Sequence, residues 1–227
     1  MIKNNIETLF PIHLLESING KSLIFRYSED VKMPAIISGI VSDIHNYFQI
    51  PIIYLYREEK SENIIQNLNG NVVVLEISRN LTSTMMKLEK LLFGNRHIVI
   101  IDELEDLLLF AEGRANQRFL ETLIRKSSEN QGILLSSYKN DSLDATLEKS
   151  IVKNYDIAFD VDTNMIIMNG ASEREQINYL LTDTGLSIRS APSTDTDKIK
   201  ELFRLTPEER EELDMIVGEQ IKELDLS

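Results

Sequence analysis

Lys32 is the first residue of this chain whose placement suggests chemistry. It stands between an apolar run at 23–25 and an apolar helical pattern at 34–41. A lysine between a buried strand and a helix is the setting of the phosphate-binding pattern G-x-x-x-x-G-K-[ST]. With Lys32 at the pattern's Lys, Arg26 falls on the first Gly, Val31 on the second and Met33 on the hydroxyl residue. The spacing fits without a gap, yet only the Lys is kept. Glycines at those places let backbone N–H groups curl around phosphate oxygens, and β-branched Val31 disfavours that geometry. The hydroxyl normally holds Mg²⁺, for which the Met33 thioether is a poor substitute. Glu29 and Asp30 add negative charge where phosphates would sit. The residues predict a loop that no longer cradles a triphosphate.

Three other apolar runs end in residues with chemical potential. Glu58 and Glu59 follow the run at 52–56; they are either a functional pair or a solvated pair at a helix start, where Glu suits the helix dipole. Asp102 follows 98–101. An apolar strand ending in Asp matches a Walker B element, whose carboxylate supports Mg²⁺; the alternative is an Asp that caps the next helix. Ser136 and Ser137 follow 133–135, and serine is also common at strand ends. Other chemistries are excluded or unsupported. With no Cys there is no disulfide, thiolate nucleophile or Cys-based zinc site. His13, His45 and His97 lack metal-ligand spacing, and neither a G-x-S-x-G elbow nor a glycine-rich dinucleotide fingerprint occurs.

The elements that must position these residues follow from hydrophobic patterning. Runs at 23–25, 52–56, 72–77, 98–101, 133–135, 157–161 and 165–168 are nearly all apolar and rich in Ile and Val. Continuous apolarity predicts strands buried on both faces, as in a parallel sheet. Between them Ile64, Ile65 and Leu68, then Met85, Leu88 and Leu92, then Phe119, Leu120, Leu123 and Ile124 repeat at helical spacing. Alternating strands and helices predict a doubly wound α/β sheet. Asp162-Thr163-Asn164 lies between two strand-like runs and predicts a hairpin at one sheet edge. Residues 190–197 are small and polar and read as a linker. Thr206-Pro207-Glu208-Glu209 then starts a helix, over which Leu213, Ile216, Val217, Ile221 and Leu224 form an apolar stripe. Such a helix needs a surface to pack on, in its own core or on a partner.

These pieces together resemble the KaiC branch of RecA-like ATPases, in its archaeal KaiC-like form, over roughly residues 20–190 with the phosphate loop lost. The segment 53–64, with its Glu58-Glu59 pair, resembles the end of that family's second strand. The segment 97–109 resembles its Walker B strand and the region after that strand's Asp, and 155–159 resembles its late strand. The resemblance implies a three-layer, doubly wound, mainly parallel RecA-like α/β sheet with an antiparallel edge hairpin and a C-terminal helical extension. It implies that Glu59 would activate water with Glu58 beside it, that Asp102 would hold Mg²⁺, and that Lys32 and Ser136 or Ser137 would meet the phosphates. The family's Gly-rich approach to the first strand is missing here; Asn19-Gly20-Lys21 stands there.

The expected organisation is a RecA-like core at 1–190 and a linker with an amphipathic helix at 191–227. The expected function is an ATPase homologue without catalysis, working as a scaffold or regulator, with no cofactor. The alternative is a module that binds ATP or ADP with Mg²⁺ weakly, or a weak ATPase. A DNA-binding recombinase-like paralogue is disfavoured by the formal net charge of −13, because nucleic-acid affinity is drawn from Lys and Arg. A protein partner or self-association, involving 206–224, is expected instead. The chain start lacks the order of a signal peptide and no apolar run approaches membrane-spanning length, so a cytoplasmic location without membrane contact is expected.

Overall fold

The computed structural model describes residues 9–57, 68, 71–110, 113–169, 174–181 and 188–190. The chain divides into two units, Met1–Ser190 and Ala191–Ser227. The second unit, with the linker and the helix expected at 206–224, lies outside the described residues, as do Glu58 and Glu59.

The described elements run α1 (Ile12–Ser17), β1 (Ser22–Tyr27), α2 (Met33–Phe48), β2 (Ile52–Tyr56), β3 (Val72–Glu76), α3 (Leu81–Leu92), β4 (Ile98–Ile101), α4 (Leu104–Phe110), α5 (Gly113–Glu129), β5 (Ile133–Lys139), α6 (Ala145–Val152), β6 (Ile157–Asp162), β7 (Met165–Asn169), β8 (Arg174–Leu181) and β9 (Ile188–Ser190). Among the described residues the strands form one nine-stranded sheet in the order β3-β2-β4-β5-β1-β6-β7-β8-β9. The six strands from β3 to β6 are mutually parallel. The turn at Thr163 and Asn164 reverses the chain, Asp162 pairs with Met165, and β7, β8 and β9 add antiparallel strands. The expected α/β architecture is present, and its antiparallel edge is larger than one hairpin. The two added strands were hidden because half of Arg174–Leu181 is polar, with its apolar residues interrupted by Asn178, and Ile188–Ser190 spans only three residues.

The uninterrupted apolar runs have a simple cause. In β4, Ile98 and Ile100 face one core while Val99 and Ile101 face the other, so both faces of the strand demand apolar side chains. α1 and α2 cover one face of the sheet; α3, α4, α5 and α6 cover the other. α2 buries Ile36, Ile37, Ile40, Val41 and Ile44 at three- and four-residue spacing. Asn80 caps α3 by accepting from the Ser83 N–H (3.2 Å), and Asp144 caps α6 by accepting from the Thr146 and Leu147 N–H groups (3.0 Å each). Parallel strands aim their C-terminal ends at one rim of the sheet, and that rim is where ligand sites form in open α/β folds.

Candidate functional site

At this rim the end of β1 comes first. The strand continues past its apolar run, so Arg26 and Tyr27 are still paired in the sheet, Arg26 lying between Tyr138 and Asp160. Its guanidinium donates through Nε to Asp160 (2.7 Å), pairs with it again through NH2 (2.6 Å), and reaches Glu148 (3.2 Å). Arg26 is thus a strand residue in ion pairs, and only residues 28–32 connect β1 to α2. Within that connection the Val31 N–H donates to the Ser28 carbonyl (3.1 Å) and the Met33 N–H to the Val31 carbonyl (2.9 Å). The Ala35 and Ile36 N–H groups donate to the Lys32 carbonyl (3.0 and 3.4 Å), and Pro34 has no N–H. No residue from 26 to 33 has a positive φ. Val31 and Met33 are buried, at 7% and 1% exposure, while Lys32 is the exposed N-cap of α2. Glu29 accepts from Lys139 Nζ (2.6 Å), and this bond holds the Glu29 carboxyl below its ordinary range.

Two strands away, β4 leads directly into Asp102. Its Oδ1 accepts from Ser137 Oγ (3.0 Å) and from the Glu103 N–H (3.1 Å), and its Oδ2 accepts from the Tyr54 hydroxyl (3.3 Å). Burial pushes the Asp102 pKa up, against the pull of those three donors, and the Asp106 charge adds to the rise. Successive strand residues alternate in direction, and this separates the two serines. Ser137 meets Asp102 on the α2 face, whereas Ser136 accepts from the Tyr155 hydroxyl (2.8 Å) within the opposite core. Tyr54 is a member of the cluster that sequence reasoning missed. A tyrosine in the otherwise aliphatic 52–55 run was the available signal, because a buried phenol seeks a partner.

The turn after Asp102 is strongly acidic. Glu103 has φ 51, in the left-handed region. Burial first, then the Asp102 and Asp106 charges, push its pKa up to about 7. Glu105 accepts from the Lys139 N–H (3.2 Å) through Oε1, and its Oε2 is buried without a hydrogen-bond partner. The Tyr27 pKa is raised, by burial first and then by the charges of Glu105, Asp102, Glu103 and Asp106, which places the end of β1 in the field of four carboxylates. Among the described residues no group of three or more His, Asp or Glu side chains is arranged to hold a metal ion. Two cavities, about 310 and 420 Å³, share Arg26, Glu148 and Asp160 on the β6 side of the rim; neither Lys32 nor Asp102 lines them.

A solved structure of a KaiC-like protein from the hyperthermophilic archaeon Pyrococcus horikoshii OT3 matches with a TM-score of 0.57, covering 77% of this chain and 90% of that one. The fold is RecA-like, of the KaiC type. At 9% identity the likeness concerns this RecA-like fold alone. No protein-family model matches the sequence, and no curated protein matches it. Within the fold, Lys32, Asp102 and Ser137 stand at the rim on the α2 side of the sheet, while Ser136 points into the other layer. Among the described residues no helix is long and apolar enough to cross a membrane.

Proposed function

We propose that this RecA-like domain does not hydrolyse ATP and works as a scaffold or regulatory interaction protein. The observation that carries the reading is the connection at 28–32. A phosphate cradle needs several N–H groups converging outward on one anion. Here the Val31, Met33, Ala35 and Ile36 N–H groups donate to carbonyls of the same connection, and Pro34 has none to give. The loop is short because β1 runs through Arg26, and its apolar residues Val31 and Met33 are anchored in the core. The nearby Lys139 is engaged by Glu29, and the charges of Glu105, Asp102, Glu103 and Asp106 all act on Tyr27 at the end of β1. These residues do not fit a triphosphate: the donors are turned inward and the field has the wrong sign.

Calorimetric titration of the pure chain with millimolar ATP or ADP, with and without Mg²⁺, tests this. The expected result is no binding heat and no turnover. Measurable Mg-ATP hydrolysis that Glu59→Gln abolishes would overturn the reading.

A second reading has its own support in the Asp102–Ser137–Tyr54 cluster, which keeps a carboxylate and a hydroxyl together at the ends of adjacent strands. On that reading Lys32, Asp102 and Ser137 retain weak nucleotide binding without turnover. Binding heat without hydrolysis, weakened by Lys32→Ala and by Asp102→Asn, would favour it.

A further inference from the structure

On the face of the sheet away from α2, α3 and α5 lie side by side and leave a groove of about 310 Å³ between them. Leu81 and Met85 of α3 and Ala115 and Phe119 of α5 give it an apolar floor, and Arg118 stands at its rim. Farther along α3, Met86 is 58% exposed and Phe93, just past the helix end, is 85% exposed, with Glu89 between them paired to Lys126 of α5. The two lie seven residues apart, two helical turns, and so share one side of the helix.

The charge here runs against the rest of the molecule. α3 and α5 carry the bases Lys87, Lys90, Arg114, Arg118, Arg125 and Lys126 against the acids Glu89, Glu121 and Glu129, in a chain of net charge −13. Arg125 and Lys126 are matched internally, to Glu129 (2.7 Å) and Glu89 (3.6 Å). Arg118 at the rim and Arg114, one turn before it on α5, are exposed and, among the described residues, lie in no ion pair, whereas Lys87 and Lys90 stand on the side of α3 away from Leu81 and Met85. Among the described residues Glu121, one turn from Arg118, lies in no ion pair.

We propose that this groove docks an acidic amphipathic helix of a partner protein. Both walls are helices whose backbone groups are already bonded along their own axes, so the groove presents side chains only. An extended peptide would find no ladder of backbone partners there, whereas a helix brings its own bonds and needs only an apolar stripe to bury. The twelve residues of α3 span about 18 Å at 1.5 Å per residue, enough for roughly three turns of a docked helix. Carboxylates flanking the docked stripe meet Arg118 and Arg114, whose planar guanidinium groups bind carboxylates in a bidentate fashion. The inference rests on the interaction half of the reading above and is independent of nucleotide, because the groove and Lys32 lie on opposite faces of the sheet.

The test uses the full chain and fluorescence anisotropy with three labelled probes: a peptide of about 18 residues with leucines at helical spacing and glutamates on its other faces, a scrambled version, and a single-stranded oligonucleotide of equal charge. The expected result is salt-sensitive binding of the amphipathic peptide alone, weakened at least about tenfold by the double reversal Arg114→Glu with Arg118→Glu. Met86→Ser with Phe93→Ser, both at exposed positions, is a second variant that weakens binding with an unchanged melting temperature. Equal binding of the scrambled peptide, preference for the oligonucleotide, or indifference to both variants overturns the proposal. So does loss of a full-chain dimer on the same charge reversal, since the occupant is then a second copy. The nucleotide titration reads out separately, so failure here leaves the inactive-ATPase reading standing, and the reverse.

Discussion

The sheet ends at Tyr27 and at Ile101 lie two strands apart on one rim and have opposite characters. The first is closed: strand pairing extends through Arg26, the connection's N–H groups bond inward, and Val31 and Met33 are core residues. The second keeps polar groups under tension. A buried carboxylate is held by two hydroxyls and an N–H, and a left-handed Glu103 comes directly after it. One end is given over to packing and to hydrogen bonds within its own connection. The other retains charged groups where burial disfavours them, a costly arrangement with no gain in packing.

The largest effect is expected from writing the phosphate pattern into the first end. A triple variant Arg26→Gly, Val31→Gly, Met33→Ser is expected to lose about 5 kcal/mol of stability, since two buried apolar side chains are removed. It is expected to gain no ATP binding, because the shortened connection remains. Urea unfolding and a nucleotide titration check both; a stable variant that binds ATP would show that the loop residues alone closed the site. The opposite end responds in the opposite direction. Asp102→Asn keeps one acceptor oxygen for Ser137 and the Glu103 N–H, turns the other position into an amide that donates to the Tyr54 hydroxyl oxygen, and removes the buried charge, so the melting temperature at pH 8 is expected to rise by a few degrees, about 1 kcal/mol.

Titration sharpens the contrast further. Asp43, on α2, accepts from the Leu9 (2.6 Å) and Phe10 (3.0 Å) N–H groups. Burial pushes its pKa from 3.8 up to about 6, against the pull of those bonds. Glu103 is pushed from 4.5 up to about 7. In both, the folded pKa exceeds the unfolded one. The native state therefore holds more protons between those values, and stability is fully present below about pH 4 for these groups and lost as pH rises through 6 and 7. Thermal scans from pH 5 to pH 8 are expected to show a falling midpoint. Asp43→Asn should remove the lower step and Glu103→Gln the upper one; a midpoint that climbs with pH over this range would refute the assignment. The smallest effect is conformational: Glu103→Gly relieves a left-handed non-glycine residue and its charge together, for a gain of about 1 kcal/mol by urea unfolding.

Much of the architecture was legible because both faces of the parallel strands are buried, which writes unbroken Ile and Val runs into the sequence. The hairpin at 162–164 was legible from its turn residues. β8 and β9 were not, since β8 mixes polar and apolar residues in equal number and β9 is only three residues long. At the site, Lys32 and Asp102 were found from the spacing around apolar runs. The choice between Ser136 and Ser137, and the part played by Tyr54, depend on which face each strand turns to the α2 layer. Neighbouring residues alternate faces, and sequence position alone does not fix the phase.

The sequence by itself determined that neither glycine nor a hydroxyl stands at 26, 31 and 33, because a side chain's shape and backbone preference travel with the residue. It also determined the overall acidity and the alternation of strand and helix. Only the tertiary structure decided that Arg26 belongs to the sheet, that Ser137 and Tyr54 converge on Asp102 from 35 and 48 residues away, and that Arg118 stands at the rim of an apolar groove between α3 and α5 in an acidic chain. Those are distances between residues far apart in sequence, and they exist only once the sheet has set its strand order.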